Sequence, residues 1–299
     1  MIVFQNYFIK FGVLNFKHTT KQNKRHMSTK TKKTSGGFPL IISALAIVIC
    51  LLIGVFIYKA ILGADSNFEG GGHKSASGHK TPINILGTMY MGGFIVPILI
   101  GFLLTVIAFA IERFITITKA SGKGNTDKFV SKIKALISQH DFEGALAECD
   151  RQQGSLANVV HEGILKYRFV ENDSTMDKEQ KVEAITKAIE EATSLELPML
   201  SKNMVVISTM ASIGTLAGLI GTVVGMITAF SALSAAGAPD TSALATGISE
   251  ALVNTLVGIL TSALAIIFYN FFSNRIDQIT YAMDEAGFSI VKEFQSSGK

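Results

Sequence analysis

The stretch that decides the fold is MVVISTMASIGTLAGLIGTVVGMITAFSALSAA, residues 204–236. It carries no Asp, Glu, Lys, Arg or His. A helix rising about 1.5 Å per residue crosses a hydrocarbon core of about 30 Å with about 20 residues. This run is longer than one crossing needs, so its helix must tilt or protrude. Its surroundings are as bare: between Asn203 and Asn274 the only Asp, Glu, Lys or Arg residues are Asp240 and Glu250. A water-soluble surface cannot be made from such a segment. The whole chain of 299 residues is 17% charged, against about 25% for a soluble domain. These facts exclude a soluble enzyme, a disordered chain and a disulfide-stapled secreted domain, because two cysteines, Cys50 and Cys149, make no framework.

Outward from that run the chain divides into four apolar spans, residues 38–62, 92–111, 204–236 and 247–272. Lys59 is the one charge in the first and can snorkel to the interface. That span is too long for a signal peptide and has no small-residue cleavage site close behind it. Lys and Arg sort by side. They crowd residues 1–37 and the segment 112–203, are sparse in the loop 63–91, are absent from 237–246, and return in the tail 273–299. This bias predicts a multi-pass membrane protein with both termini cytoplasmic. The predicted class is all-α: four transmembrane helices, the longer ones extending into a cytoplasmic helical bundle.

The residues before Met27 mix aromatic and basic types without a clear period. Met27-Ser28-Thr29-Lys30 reads as a natural start, the alternative being an interfacial amphipathic helix. The loop 63–91 is read as a flexible linker from its Gly, Ser and His content. His73 and His79 lack the carboxylate or cysteine companions of a metal site. In the cytoplasmic segment, apolar residues recur at helical spacing over Asp127–His140 and Asp177–Ser194. Asp141 and Ser155 are candidate caps for two helices between them.

No catalytic constellation is present, and no metal or cofactor is expected. Gly122-Lys123 is followed by Gly124, so there is no phosphate-binding P-loop. His161-Glu162 opens a zinc-helix motif that Leu165 fails to complete. Gly218, Gly221 and Gly225 have no strand before them and no acidic residue about twenty positions on. The basic residues flank apolar spans rather than alternating with aromatics, which argues against nucleic acid.

What the long spans do carry is small and hydroxylated residues in register. Gly214–Gly218 and Gly221–Gly225 are two G-x-x-x-G pairs, which let helix backbones approach closely in lipid. Ser208, Thr215 and Thr222 repeat every seven residues. In the fourth span Gly247, Ala251, Asn254, Gly258, Thr261 and Ala265 alternate by four and three, as in a packing seam. Thr255 and Ser262 lie beside it. Faces of this kind serve either as packing surfaces or as a path for protons and cations. Glu250 is an ionisable residue just inside its span, and such residues face a bundle interior, a wet cavity or a neighbouring subunit. One carboxylate per chain is too few for a pump, so the missing ionisable group is expected from a partner helix.

At this point the motifs themselves have a likeness. Gly218-Leu219-Ile220-Gly221-Thr222-Val223-Val224-Gly225-Met226 with Phe230 resembles the MotA/TolQ/ExbB proton channel family. So does Gly247-Ile248-Ser249-Glu250-Ala251-Leu252-Val253-Asn254-Thr255-Leu256-Val257-Gly258 with Tyr269-Asn270. Ile111-Glu112-Arg113 is similar to the family's first-helix ending. The resemblance covers residues 92–292 and is closest to ExbB. It implies a pore subunit that self-associates, as a homopentamer, around the helices of an ExbD-like single-span partner supplying a membrane Asp. It further implies coupling to a TonB-like energy transducer that drives outer-membrane uptake. The implied pore or proton-pathway residues are Thr222, Thr255, Glu250 and Asn254. Gly214, Gly218, Gly221, Gly225 and Gly258 are the helix-packing positions. Two features depart from the family pattern: the additional span 38–62, and Asn254, where a small apolar residue is commoner.

Overall fold

The structure, a computed structural model, describes residues 38–69, 82–234 and 241–297. The start at Met27, the histidines His73 and His79, and Asp240 lie outside the described residues. Pro39–Lys299 form one unit, and among its described residues the regular structure is helical. The helices are α1 (Phe38–Ile57), α2 (Ile85–Tyr90), α3 (Val96–Ala120), α4 (Thr126–Ser138), α5 (Phe142–Gln152), α6 (Gly154–Glu171), α7 (Lys178–Ser201), α8 (Met204–Ser234) and α9 (Thr241–Ser296). Among the described residues, four helical stretches are long and apolar enough to cross a membrane. The chain is therefore a multi-pass membrane protein.

The long helices overrun the bilayer. At about 1.5 Å per residue, the 31 residues of α8 span about 46 Å and the 56 residues of α9 about 84 Å. Residues 273–296, set apart as a tail on the return of charge, continue α9 without a break. The buried Ile279, Ala282, Met283, Ala286, Ile290 and Phe294 keep a three-and-four spacing there, so α9 leaves the membrane as the central post of the bundle. Helices α4, α6 and α7 pack on it. Tyr167 of α6 meets Phe294 edge-on at 4.9 Å and Phe142 at the same separation. Gly163 of α6 and Gly287 of α9 both lie against Ile189 of α7.

Local chemistry sets the bundle's turns. Asn125 accepts from the backbone N–H of Asp127 and Lys128 and so caps α4. Asp141 accepts from Gly144 and caps α5. Asp177 and Gln180 exchange bonds as a capping box at α7. Ser155 does not cap α6: the helix begins one residue earlier, at Gly154, and has no side-chain cap. Gln153 at φ 57° and Gly154 at φ 86° reverse the chain there, which leaves Ser155 buried inside the first turn. Both cysteines are buried and free. Burial pushes the Cys149 thiol up to about 12, so it remains a protonated, inert core group.

All four spans share two ends, a bundle end and a loop end where α8 turns into α9. At the bundle end Arg113 is 1% exposed. It donates to Glu112 and to the carbonyls of Met199 (3.4 Å) and Leu200 (3.2 Å) at the close of α7. A cation on those last carbonyls offsets their unpaired dipoles. Asn203, at φ 62°, makes the corner between α7 and α8. Its side chain donates to Glu112 and accepts from Ser43 of α1 at 2.9 Å.

At the loop end the described parts of the segment 63–91 are folded, not linker-like. α1 runs on as a π-helical turn, Tyr58–Leu62. Asn67 donates to the carbonyls of Ile61 (2.7 Å) and Leu62 (3.0 Å) and accepts from Asn84 (2.9 Å). Phe68 bridges to Pro82 and meets Tyr90 edge-on at 5.5 Å. The Gly, Ser and His residues that suggested a linker are concentrated in 70–81, outside these folded ends.

Candidate functional site

Helices α8 and α9 form the closest helix pair of the chain. The small residues of one helix seat against the backbone of the other. A Cβ on Gly218 would lie 3.1 Å from the Asn254 carbonyl oxygen and 3.2 Å from the Gly258 Cα. One on Gly225 would lie 2.7 Å from the Ala251 nitrogen, and one on Gly258 2.7 Å from the Gly214 oxygen. A Cβ on Gly214 would lie 2.8 Å from the Ser262 hydroxyl oxygen, and one on Gly221 2.9 Å from the Asn254 amide nitrogen. The five glycines thus all lie on this seam.

Two rungs of hydroxyls bridge it. Thr222 and Thr255 share a short hydrogen bond between their hydroxyl oxygens. Seven residues earlier on α8, about 10 Å along the axis, Thr215 donates to Ser262 at 2.7 Å. Thr222 Oγ1 also lies within hydrogen-bond distance of the Gly218 carbonyl and Thr255 Oγ1 of that of Ala251; with one hydrogen each, one hydroxyl donates across the pair and the other donates to its own carbonyl. Each hydroxyl can both give and take a hydrogen, so the rungs can hand on a proton or hold water. Thr261 is buried and bonded back to Val257. It belongs to packing rather than to the rungs.

Thr222 opens on an unsealed face. With Val223, Met226, Ile227, Phe230, Ser231 and Ser234 it lines a cavity of about 620 Å³. Ile220, Val223, Ile227 and Phe230 stand well exposed on the same side of α8. No residue of 204–234 is ionisable, so any titrating group at this face must come from elsewhere.

The two other candidate residues sit nearer the loop end. Asn254 is fully buried behind the threonine pair, and its amide donates to the Gly92 carbonyl at 2.9 Å. It ties the entry to α3 onto the α8–α9 seam. Glu250 lies one turn above it, and its carboxylate rests directly over Gly93, where any Cβ would collide with it. Gly93 also has φ 74°, a conformation natural to glycine. Sequence reading alone did not single out Gly92, Gly93, Tyr58 or Tyr90, and it noted Arg113 only within the Ile111-Glu112-Arg113 likeness. An X-Gly-Gly-X step at a span boundary and an Arg inside an apolar helix end were the available signals.

The sequence profile of the MotA/TolQ/ExbB proton channel family matches residues 153–285. That match takes in the bundle from α6 onward, both rungs and the glycine seam. Residues 153–285 form a MotA/TolQ/ExbB family segment. It is similar to the Tol-Pal system protein TolQ of Pseudomonas aeruginosa, 25% identical, covering 59% of this chain and 79% of that one. It is also similar to TolQ of Haemophilus influenzae, 29% identical over 62% of this chain and 80% of that one. With the biopolymer transport protein ExbB of Pseudomonas putida it shares 28% identity over 44% of this chain and 39% of that one. The chain thus spans most of each of these two TolQ relatives and well under half of this ExbB relative. The additional helix α1 lies outside the matched family segment.

Proposed function

We propose that this chain is a proton-conducting stator subunit of an ExbB–ExbD–TonB-like complex, which uses the proton motive force of the inner membrane to energise outer-membrane uptake. The observation that carries the reading is the Thr222–Thr255 hydroxyl pair, whose Thr222 lines an open cavity on an uncharged helix face. Such a face suits a partner helix bearing an Asp, with the threonines passing its proton along. Self-association, as a pentamer, would gather several copies of the face around that partner. The basic segment ends favour a cytoplasmic helical bundle with both termini on the same side, and with it a periplasmic Glu250 end.

The energy scale requires coupling rather than leak. One charge moving down 100 mV releases about 2.3 kcal/mol, so a mechanical step draws on several protons. Thr222→Val, Thr255→Val or Glu250→Ala is expected to abolish energised uptake while the subunit still assembles. Growth on a nutrient taken up through a TonB-dependent receptor is the readout. Normal growth of all three variants would remove the pore assignment.

A TolQ-like role in envelope maintenance is the second reading. It is favoured by the alignments, which span 79% and 80% of the TolQ relatives but 39% of the Pseudomonas putida ExbB. Partners recovered in mild detergent distinguish the two, and also a motility stator. A passive scaffold would show no proton flux in liposomes holding the complex.

A further inference from the structure

The additional span is tied to the family domain at both ends, and its loop-end tie reaches Glu250. Gly54 of α1 packs onto α3 so closely that a Cβ would lie 2.6 Å from the Pro97 oxygen and 2.8 Å from the Gly101 nitrogen. Past this crossing, the Tyr58 ring stacks on Tyr90 at 4.7 Å and 15°. The Tyr58 hydroxyl donates to the Tyr90 carbonyl at 3.0 Å. Two residues on comes Gly92, whose carbonyl accepts from Asn254, and then Gly93, which lies under the Glu250 carboxylate. The path from α1 to the carboxylate is therefore a chain of direct contacts.

We propose that α1 is a clamp on the mouth of the conducting path: Tyr58 fixes Tyr90 and the Gly92–Gly93 turn, and that turn sets the position of Glu250. Tyr58 and Asn254 are positioning residues, acting through the turn they hold from opposite sides. This deepens the conducting role proposed above and rests on it. The family domain has its glycine seam and its rungs without α1, so the clamp governs entry rather than passage. The titratable groups on the elements packed about Glu250 are the phenols of Tyr58 and Tyr90. Helix α8 contributes none over 204–234, and Lys59, Asp65 and Glu69 are exposed along the same loop.

The test uses the full complex with its co-expressed partner in liposomes. Proton entry under a valinomycin-set potassium potential is followed with a trapped pH dye across a range of outside pH. Tyr58→Phe keeps the stack and loses one hydrogen bond, so flux is expected to fall about three- to tenfold. Tyr58→Ala should fall further and move the midpoint of the flux–pH profile. In a Glu250→Gln background, Tyr58→Ala should add no further loss, because the two act as one unit. An additive loss in that background, or an unmoved midpoint, would overturn the clamp. Hydrogen exchange supplies an arm independent of flux: Tyr58→Ala should speed exchange of the Gly92–Leu99 amides about tenfold, with the amides of 279–294 unchanged. Unaltered exchange at Gly92–Leu99 would also overturn it. Absence of flux from the unmutated complex would defeat the conducting reading and this one together. Flux that Tyr58→Ala reproduces in full, with the same midpoint, would defeat the clamp alone.

Discussion

The α8–α9 seam and the helical bundle below it are built from the same two helix directions but by opposite means. The seam uses glycine and hydroxyls, and one side of α8 stays unsealed around Thr222. The bundle uses large apolar side chains, with Ile133, Ile137, Leu156, Ile164, Ile185 and Met283 fully buried. Its surface is crossed by ion pairs, Lys132–Glu148 at 2.7 Å, Arg151–Glu148 at 2.6 Å and Arg168–Glu143 at 2.5 Å. The bundle is a finished structure that holds the helices. The seam is an unfinished one, closed against α9 and open toward whatever meets its uncharged face. Stability and function are thereby separated along one continuous helix.

The contrast is broken most severely at the seam's backbone contacts. Gly225→Leu would force a side chain against the Ala251 nitrogen and the Gly247 oxygen, 2.7 and 2.8 Å from the Cβ alone. Backbone on both sides cannot yield as a flexible side chain would. The expected cost is at or above about 3 kcal/mol, the upper part of the overpacking range. Loss of the monodisperse complex on size exclusion in detergent would show it. The threonine variants should instead leave that profile unchanged, since Thr222→Val keeps the size of the side chain and removes the hydroxyl that pairs with Thr255 without pressing on backbone. A Gly225→Leu protein that assembles normally would mean the seam is looser than its contacts indicate.

Where the two regions join, Arg113 should give the next effect. Arg113→Ala removes the partner of the Met199 and Leu200 carbonyls at a buried site. Leaving buried acceptors unpaired costs about 1–3 kcal/mol. Thermal unfolding in detergent should show a lower midpoint than for Arg151→Ala, whose side chain is 72% exposed. Equal midpoints would show that the join is not held by Arg113.

Much of this was legible in the sequence wherever the signal is local. Hydropathy alone located the four spans, and four-residue spacing found the glycines that meet α9. Resemblance supplied Thr222 and Thr255, which spacing by itself left as either packing or path. Asp141 caps as its type and position suggested, whereas Ser155 does not. What was not legible depends on distant partners. The return of charge after Phe272 looked like a boundary, yet the buried stripe from Ile279 to Phe294 continues the helix because the bundle covers it. Arg113 entered only through the likeness of Ile111-Glu112-Arg113, and only the end of α7, folding back from residues 199–200, explains its burial. Tyr58 and Tyr90 are 32 positions apart, and nothing in either neighbourhood announces the stack.

The smallest effect lies in the bundle and depends on pH. The hydrogen bond from Lys132, with burial opposing and Arg151 assisting, holds the Glu148 carboxyl below the usual carboxylate range. A group whose pKa is lowered by folding stabilises the fold above its unfolded value, about 4.3 for Glu. That contribution disappears as pH falls from there through the folded value. The unmutated protein should therefore lose melting temperature between about pH 5 and about pH 3 more steeply than Glu148→Gln, which has no proton to take up at this site. Proton flux at neutral pH should be the same for both, since Glu148 lies in the finished region and far from the rungs. If Glu148→Gln changed flux but not the acid slope, the division between a holding bundle and a working seam would fail at the place where it looks safest.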